Sequence, residues 1–592
     1  CVALNCLPEK VGTELREAYL FLRDTEHAIQ GWLDRQTQEL PTDDLPRLAL
    51  AVALGFDDWD SYRAALAAHR ERVSAHFMAL IEPPEEETDA AAEPEDWSLA
   101  LSKQNLAALG YQHAEDTLAE LLKLRANPRI ATLQPQGRAR LDQFMPRLLA
   151  ACAETDVPDL ALARLLPLVV AVVRRSAYLA LLLENPPALG ELVVLCGASP
   201  WIAEQLARNP VLLDELLDRA SLYSAPDKDL LRRELQAQVA RLDPRDLEAQ
   251  MDTLRYFKAA HVLRVAASEL SGRLPLMKVS DKLSFLAEVI LEHVQAVAWD
   301  DLSAKYGEPS RDSTGTGFAV YGYGKLGGIE LGHGSDLDLV FLFDADATGN
   351  TNGERPVDNV VFYTRLGQRM IHILETRMAM GQLYEIDMRL RPSGESGMLV
   401  APVAGFRSYQ ESDAWTWEHQ ALVRARFVAG DAHVAEQVDN VRTEILCQPR
   451  EEAALAREVQ AMRNRMREHL LPDERAKEGE FHLKQGSGGI VDIEFMVQYA
   501  VLAWSHREPE LARWSDNVRI LETLGRKGFF EQQECEALTQ AYLAYRSAAH
   551  QLSLQQQPGV VPTDRFADER AQVSDKWRQL FAPYPLDNKT ED

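Results

Sequence analysis

Along most of the 592-residue chain, apolar residues recur at three- and four-residue spacing, which predicts helices almost throughout. From about Val11 to Leu80, Leu15, Ala18, Tyr19, Leu22 and Ile29 fall near one helical face, and Trp59, Tyr62, Leu66 and Val73 mark another. The stretch Ile81–Asp96 (IEPPEEETDAAAEPED) is acidic and proline-bearing with little to bury, the composition of a linker. Helical spacing resumes from Trp97 to about Trp299, with breaks at Pro186-Pro187, Ser199-Pro200, Asn209-Pro210 and Ser224–Pro226. Stripes such as Leu179–Glu184 and Val211–Leu217 read as helix-on-helix packing. A further amphipathic helix is expected over Asp358–Met378, with Val361, Leu366, Met370, Ile373 and Leu374 inward. Helices return from Phe495 to Leu554, and the residues from Leu586 onward read as frayed.

Three stretches break this rhythm. In the first, the β-prone run Phe318–Tyr321 enters a loop through Gly322, Gly324, Gly327, Gly328, Gly332 and Gly334, then Ser335-Asp336-Leu337-Asp338 leads into Leu339–Phe343. A strand alternates its faces. Leu337, Leu339, Phe341 and Phe343 therefore point into a core, and Asp336 and Asp338 share the opposite face roughly 7 Å apart. In the second, Leu383–Arg391 alternates as a strand, with Tyr384, Ile386, Met388 and Leu390 on one side and Glu385, Asp387, Arg389 and Arg391 on the other. In the third, Lys484 precedes Gln485-Gly486-Ser487-Gly488-Gly489 and a helix opening Val491-Asp492-Ile493-Glu494. A glycine turn feeding a helix N-terminus is a ready anion site, and the acidic residues there also complement the helix dipole.

Composition narrows the classes. The length exceeds a single core and suggests roughly three to five domains. A net charge of −28 argues against a nucleic-acid backbone as main partner. The six cysteines are scattered without CxxC spacing, which points to a reducing, cytoplasmic compartment and no zinc site. Leu165–Val173, the greasiest run, falls far short of the ~20 residues of a membrane span. The chain opens at Cys1 rather than methionine, which suggests a fragment.

A glycine loop feeding an Asp-x-Asp strand, with a third carboxylate on a neighbouring strand, is a constellation for nucleotidyl transfer. Two Mg²⁺ ions would lie between Asp336, Asp338 and Asp387, one activating an attacking hydroxyl and one steadying the triphosphate. Arg389, Arg391 and Lys484 would offset phosphate charge, and the glycines would let backbone N–H groups approach. Each piece alone has a plainer reading: a strand-edge acidic pair, a simple loop, or an ion pair of Asp387 with Arg389 or Arg391. The loop is neither GxxxxGK[ST] nor a GxGxxG dinucleotide fingerprint. His333 beside the motif is read as an incidental loop histidine and left out of the site.

Tyr323-Gly324-Lys325, ten residues, then Asp336-Leu337-Asp338 resembles the signature of the DNA-polymerase-β-like nucleotidyltransferases. Lys325 stands where serine or glycine is usual, so Ser335 or Lys325 itself would supply that triphosphate contact. The longer motifs GYGKLGGIELGHGSDLDLVFLF, LYEIDMRLRPSGESG, WTWEHQALVRARFVAGD and LKQGSGGIVDIEF resemble the bacterial glutamine-synthetase adenylyltransferase/adenylyl-removing family, as do SAYLALLLENP and NPVLLDELLD. Arg424, Arg426 and Trp417 sit in one of these motifs, with a helix-surface role the alternative. The resemblance implies a mainly α fold with an α/β mixed-sheet nucleotidyltransferase domain flanked by helical bundles. It also implies AMP transfer from ATP to a tyrosine of glutamine synthetase, Mg²⁺ dependence, and control by PII and glutamine, with no nucleic-acid or membrane partner. The implied site comprises Asp336, Asp338 and Asp387 as catalytic metal ligands, with Gly324, Lys325, Gly334, Ser335, Arg389, Arg391 and Lys484 on the nucleotide.

A repeat fits this picture. AYLFLRDTEHAIQ (Ala18–Gln30) and AYLAYRSAAHQLS (Ala541–Ser553) share Ala, Tyr, Leu, Arg and His in register. The expected organisation is residues 1–80 as the helical tail of an adenylyl-removing module, 81–96 a linker, and 97–300 a helical region. Residues 301–435 form the catalytic domain and 436–592 a helical bundle. The removing site would be missing. The competing readings are a PII uridylyltransferase, disfavoured because no His-Asp dipeptide of its hydrolase module occurs, and a catalytically silent PII- or nucleotide-binding module.

Overall fold

The structure, a computed structural model, describes residues 8–33, 40–41, 43–81, 97, 101–311, 314–346, 348–471 and 479–586. The expected linker, apart from residue 81, and the stretch 587–592 lie outside them. The chain divides into two units, Cys1–Glu93 and Pro94–Asp592. In the first unit, α1 (Glu9–Leu33), α2 (Asp44–Ala53) and α3 (Trp59–Ile81) pack through Ile29, Leu50, Ala51, Tyr62 and Leu66. Tyr19, expected inward, is instead 64% exposed.

The second unit has three cores. The first gathers short helices between Lys103 and Leu222. Pro186, Pro200 and Pro210 sit in the first turns of their helices, where a missing N–H is harmless. Among the described residues no single helix is long and apolar enough to cross a membrane. The apolar pair Ala177–Glu184 and Pro186–Ala198 is bent by 103° and buries Leu179, Leu182, Leu189 and Leu192 in this core.

The long helices α4 (Leu247–Leu270) and α5 (Leu276–Tyr306) lead to a mixed sheet of β1 (Phe318–Gly322), β2 (Leu337–Phe343), β3 (Ile386–Asp387), β4 (Val400–Pro402) and β5 (Arg426–Gly430). Its order is β3-β2-β1-β5 with β4 also on β2; β1 runs antiparallel to β2 and β5, while β3 and β4 run parallel to β2. Leu337, Leu339, Phe341 and Phe343 enter a core with α5 and α6 (Asn359–Glu375), as the alternation requires. On the other face, Val340 and Leu342 enter a third core with α7 (Thr416–Val423), α8 (Ala432–Leu446), α9 (Glu452–Leu470), α10 (Ile490–Trp504), α11 (Asn517–Arg526), α12 (Gln532–Leu554) and α13 (Ala567–Phe581). Asp336 and Asp338 belong to that second face, one step before its apolar cover begins. In α6, Leu366, Met370, Ile373 and Leu374 are buried as expected, but Val361 is 36% exposed and Phe362 takes the inward place.

The strand expected over Leu383–Arg391 shrinks to two residues. Before it, the Leu383 and Tyr384 N–H groups donate to the Leu374 carbonyl at 3.1 and 3.0 Å, so both side chains turn inward in succession. After it, the Arg389 N–H donates to Asp387 Oδ1 at 2.8 Å and starts a turn through Ser393 and Gly394, both at positive φ. Two strands, β6 (Glu480–His482) and β7 (Val560–Pro562), pair antiparallel just before the turn that carries Lys484.

Candidate active site

β2 carries the acidic pair to the sheet's end, and the parallel register sets Asp338 directly beside Asp387. The Tyr323 N–H donates to the Asp338 carbonyl at 2.9 Å and pins the entry of the glycine turn to the same strand. That turn begins as a single helical turn, Gly324–Gly327. Gly324 has φ +51, and a Cβ there would fall 2.2 Å from Asp338 Oδ2. The position therefore excludes side chains on both conformational and steric grounds. Gly334 faces open space, so packing makes no such demand there.

Burial pushes the Asp338 carboxyl up to about 6, and the charges of Asp336 and Asp387 push the same way, with Lys325 and Arg424 opposing. Asp387 moves the other way, held low chiefly by its hydrogen bonds from Arg389, against some burial. Arg389 Nε lies 3.0 and 2.9 Å from the two Asp387 oxygens. Arg391 donates instead to the Met388 and Glu395 carbonyls at 2.9 and 3.1 Å, bracing the turn. Lys325 Nζ reaches Ser335 Oγ at 3.4 Å, and Ser335 Oγ accepts the Gly332 N–H at 3.0 Å. Loss of water and the like charge of Lys484 lower the Lys325 ammonium, while Asp336, Glu494 and Asp338 act against them. Lys325 and Ser335 thus meet beside the acidic cluster, with Lys484 near enough for its charge to act on Lys325.

The helix N-terminus after Lys484 is not the open anion site its sequence suggests. The Ile490 and Val491 N–H groups donate to the Leu483 and Lys484 carbonyls at 2.9 and 3.1 Å, and the Gly488 N–H donates to Asp492 Oδ2 at 2.7 Å. Asp492 also accepts from fully buried Arg463 at 2.6 Å. It anchors the turn that presents Lys484, rather than merely balancing a dipole.

Of the further residues that build the site, the sequence reading left the role of Arg424 and Arg426 open and missed Glu330, Tyr542 and Arg546. Arg424 and Arg426 grip the glycine turn instead of lying on a helix surface. Arg424 Nε donates to the Gly324 carbonyl at 3.0 Å, and its guanidinium pairs with Glu494 at 2.7 Å and with buried Glu330. Arg426 donates to the Gly327 and Leu326 carbonyls at 3.1 and 3.0 Å and to Glu288 at 2.6 Å. Burial works against the Glu330 carboxylate, but Arg424 and Arg546 hold it ionised, and Tyr542 donates to it at 2.7 Å. Tyr542, Arg546 and His550 recur every four residues, a polar stripe within the buried face of the helix, and that periodicity was the available signal. Trp417 stays 39% exposed and Trp415 70%. His333 is not incidental: it is buried, with Nε2 2.5 Å from Glu269.

Comparison with known proteins agrees with this geometry. The family profile described as glutamate-ammonia ligase adenylyltransferase matches residues 189–441, which include the sheet, the acidic triad and both gripping arginines. A second, GlnD PII-uridylyltransferase, matches residues 1–81 and again 460–575, so one helical profile fits both halves of the internal repeat. The bifunctional glutamine synthetase adenylyltransferase/adenylyl-removing enzymes of Pseudomonas putida and Pseudomonas syringae pv. tomato are 49% and 50% identical over 97% of this chain. That of Pseudomonas aeruginosa is 48% identical over the same share. The chain spans 61% of the length of each of these relatives. With two ordered profile matches and near-complete coverage of this chain at half identity, the chain is similar throughout its length to the glutamine synthetase adenylyltransferase/adenylyl-removing enzymes.

Proposed function

We propose that this chain transfers AMP from ATP to a tyrosine hydroxyl of glutamine synthetase. The observation that carries the reading is the meeting of Asp336, Asp338 and Asp387 beside a glycine turn with Lys325, Ser335 and Lys484 at its edge. The donor set is all carboxylate oxygen, and the burial and mutual repulsion that raise Asp338 are what a divalent cation offsets, so the three residues fit magnesium. When bound, magnesium supplies the charge that favours the ionised hydroxyl and the departing pyrophosphate.

The chain's own residues do the rest. Gly324 leaves room for a phosphate against the turn, and Ser335 with Lys325 and Lys484 offers donors to the triphosphate. Arg389 is exposed and its fork is held by Asp387; once Asp387 takes a metal, that fork is released to phosphate oxygens. The tyrosine oxygen bonds to the α-phosphorus, the bond to the β-phosphate oxygen breaks, and pyrophosphate leaves as the hydroxyl proton is lost. In-line geometry is a matter of positioning. The domain boundaries given above, control by PII and glutamine, a cytoplasmic location, and an adenylyl-removing activity residing outside this chain all belong to the same reading.

The test incubates the protein with purified glutamine synthetase, Mg²⁺ and α-labelled ATP or UTP. Label from ATP on a synthetase tyrosine supports the reading. Label only from UTP, and only on PII, overturns it in favour of a uridylyltransferase. The profile matches speak against that outcome, since the PII-uridylyltransferase likeness lies outside the five-stranded sheet and its acidic residues.

A further inference from the structure

Glu269, at the end of α4, sets its carboxylate between two imidazoles. His333 Nε2 lies 2.5 Å from one oxygen and His550 Nδ1 lies 3.4 Å from the other. His333 stands in the glycine turn three residues before Asp336, and His550 stands on α12. Both histidines are 8% exposed. The cluster therefore joins three separate parts of the unit at one point: the helical region, the catalytic turn and the C-terminal bundle. The other groups facing it are Trp201, whose ring centre is 5.5 Å from that of His333, and Arg546, one turn before His550 on α12. Gly332 packs under His550, where a Cβ would come 3.3 Å from Nε2.

The three donors are close enough to one another to suggest a cation, but the details favour a shared proton. Nitrogen and oxygen ligands at about 2.0–2.1 Å from a tetrahedral zinc lie roughly 3.3 Å apart, well beyond the 2.5 Å seen between His333 and Glu269. Histidine ligands to a metal also usually donate their second N–H to a fixed acceptor, and the buried His333 Nδ1 has no such partner. Burial pushes the Glu269 carboxyl up, yet the His333 hydrogen bond and the nearby His550 ring hold it down at about 2, so it remains an anion that binds His333 directly and lies 3.4 Å from His550 Nδ1.

We propose that Glu269, His333 and His550 form a latch that positions the catalytic turn, setting Ser335, Asp336 and Asp338 through the His333 backbone. None of the three touches the reacting atoms, so they are positioning residues. A shift of α4 against α12 would open the latch and move the acidic pair directly. For its activity readout this proposal rests on the AMP-transfer reading; its binding and fluorescence readouts do not.

The test uses the full chain with His333→Gln, Glu269→Gln and Glu269→Ala, each checked for folding by circular dichroism. Mn²⁺ serves as a probe of the acidic site, read by its electron spin resonance signal. Folded His333→Gln and Glu269→Ala should bind Mn²⁺ about tenfold more weakly. Their kcat for AMP transfer should fall by up to about 10²-fold, the scale of a small misplacement, with KM for glutamine synthetase unchanged. Glu269→Gln, which keeps one acceptor, should fall between these and wild type. Release of His333 in Glu269→Ala should also change Trp201 fluorescence, since the two rings lie 5.5 Å apart in wild type. Should these variants not fold, His550→Gln read by the same Mn²⁺ binding decides, weaker binding supporting the latch and unchanged affinity overturning it. Unchanged Mn²⁺ affinity and kcat in folded variants would sink the latch. Stoichiometric zinc lost on His333→Gln would replace it with a metal site. Absence of AMP transfer by wild type, with the Mn²⁺ differences intact, would remove the proposed function and leave the latch standing.

Discussion

The helices α1 and α12 carry the same five residues at the same spacing and match the same family profile, yet their polar stripes have opposite surroundings. On α12, Tyr542 donates to buried Glu330, Arg546 donates to the Glu330 carbonyl and to Ser280 at 3.1 and 2.7 Å, and His550 faces Glu269. On α1, Tyr19 is 64% exposed, Arg23 pairs only with its neighbour Glu26 at 2.6 Å, and His27 is exposed. Ala18 and Ala541, by contrast, are both fully buried. The lesson is that the apolar side of such a helix finds its own bundle, while the polar stripe acquires a role only where a catalytic turn lies against it. On α12 that turn is the one carrying Asp336 and Asp338.

The largest test of this contrast removes what the stripe supports. Asp338→Asn should lower AMP transfer by more than about 10³-fold, because the metal-binding charge is lost, while a folded chain persists. Activity within tenfold of wild type would place the chemistry elsewhere. Next in size is Arg424→Ala, which strands two carboxylates, one of them deeply buried. Breaking a buried pair from one side costs about 3–5 kcal/mol, readable as a drop in denaturant midpoint.

Tyr542→Phe leaves Glu330 short of a donor and should cost about 1–3 kcal/mol. The matching Tyr19→Phe should change stability by less than about 0.5 kcal/mol. Equal effects at the two tyrosines would erase the distinction between the helices.

The same Asp338→Asn variant has a smaller, opposite effect on stability. A carboxyl whose folded pKa is raised, here to about 6 from 3.8, destabilises the fold when ionised. That cost is present at pH 7 and relieved as pH falls through 6 toward 4. Without added metal, Asp338→Asn should therefore be more stable than wild type at pH 7 by about 1–3 kcal/mol. The gap should close near pH 4. A gap that widened on acidification would refute the assignment of repulsion to this site.

Much of this molecule was legible one residue at a time. Period-two alternation placed Leu337, Leu339, Phe341 and Phe343 in a core and left Asp336 and Asp338 together, because neighbouring side chains on a strand must part to opposite faces. Helical spacing located α6 within a few residues and marked the region up to Trp299 as helical without bounding its long helices, and wording specific to one family supplied the class of chemistry. Such signals are local, and local geometry is sufficient to carry them. What the pattern could not reach depends on partners far apart in the chain. Leu383–Arg391 alternates like a strand, but the hold of the Leu374 carbonyl on its start and the turn after Asp387 leave only two residues paired. Lys484 precedes a helix start whose free N–H groups are already occupied by its own loop. Tyr19 and Tyr542 are indistinguishable as sequence and differ only in what packs against them. The acidic triad itself began as a pair that period two could place and a third member that only the parallel register of β2 and β3 brought alongside. Burial and charge at Asp338 follow from that meeting, since electrostatic energy depends on distance in space and not on distance along the chain.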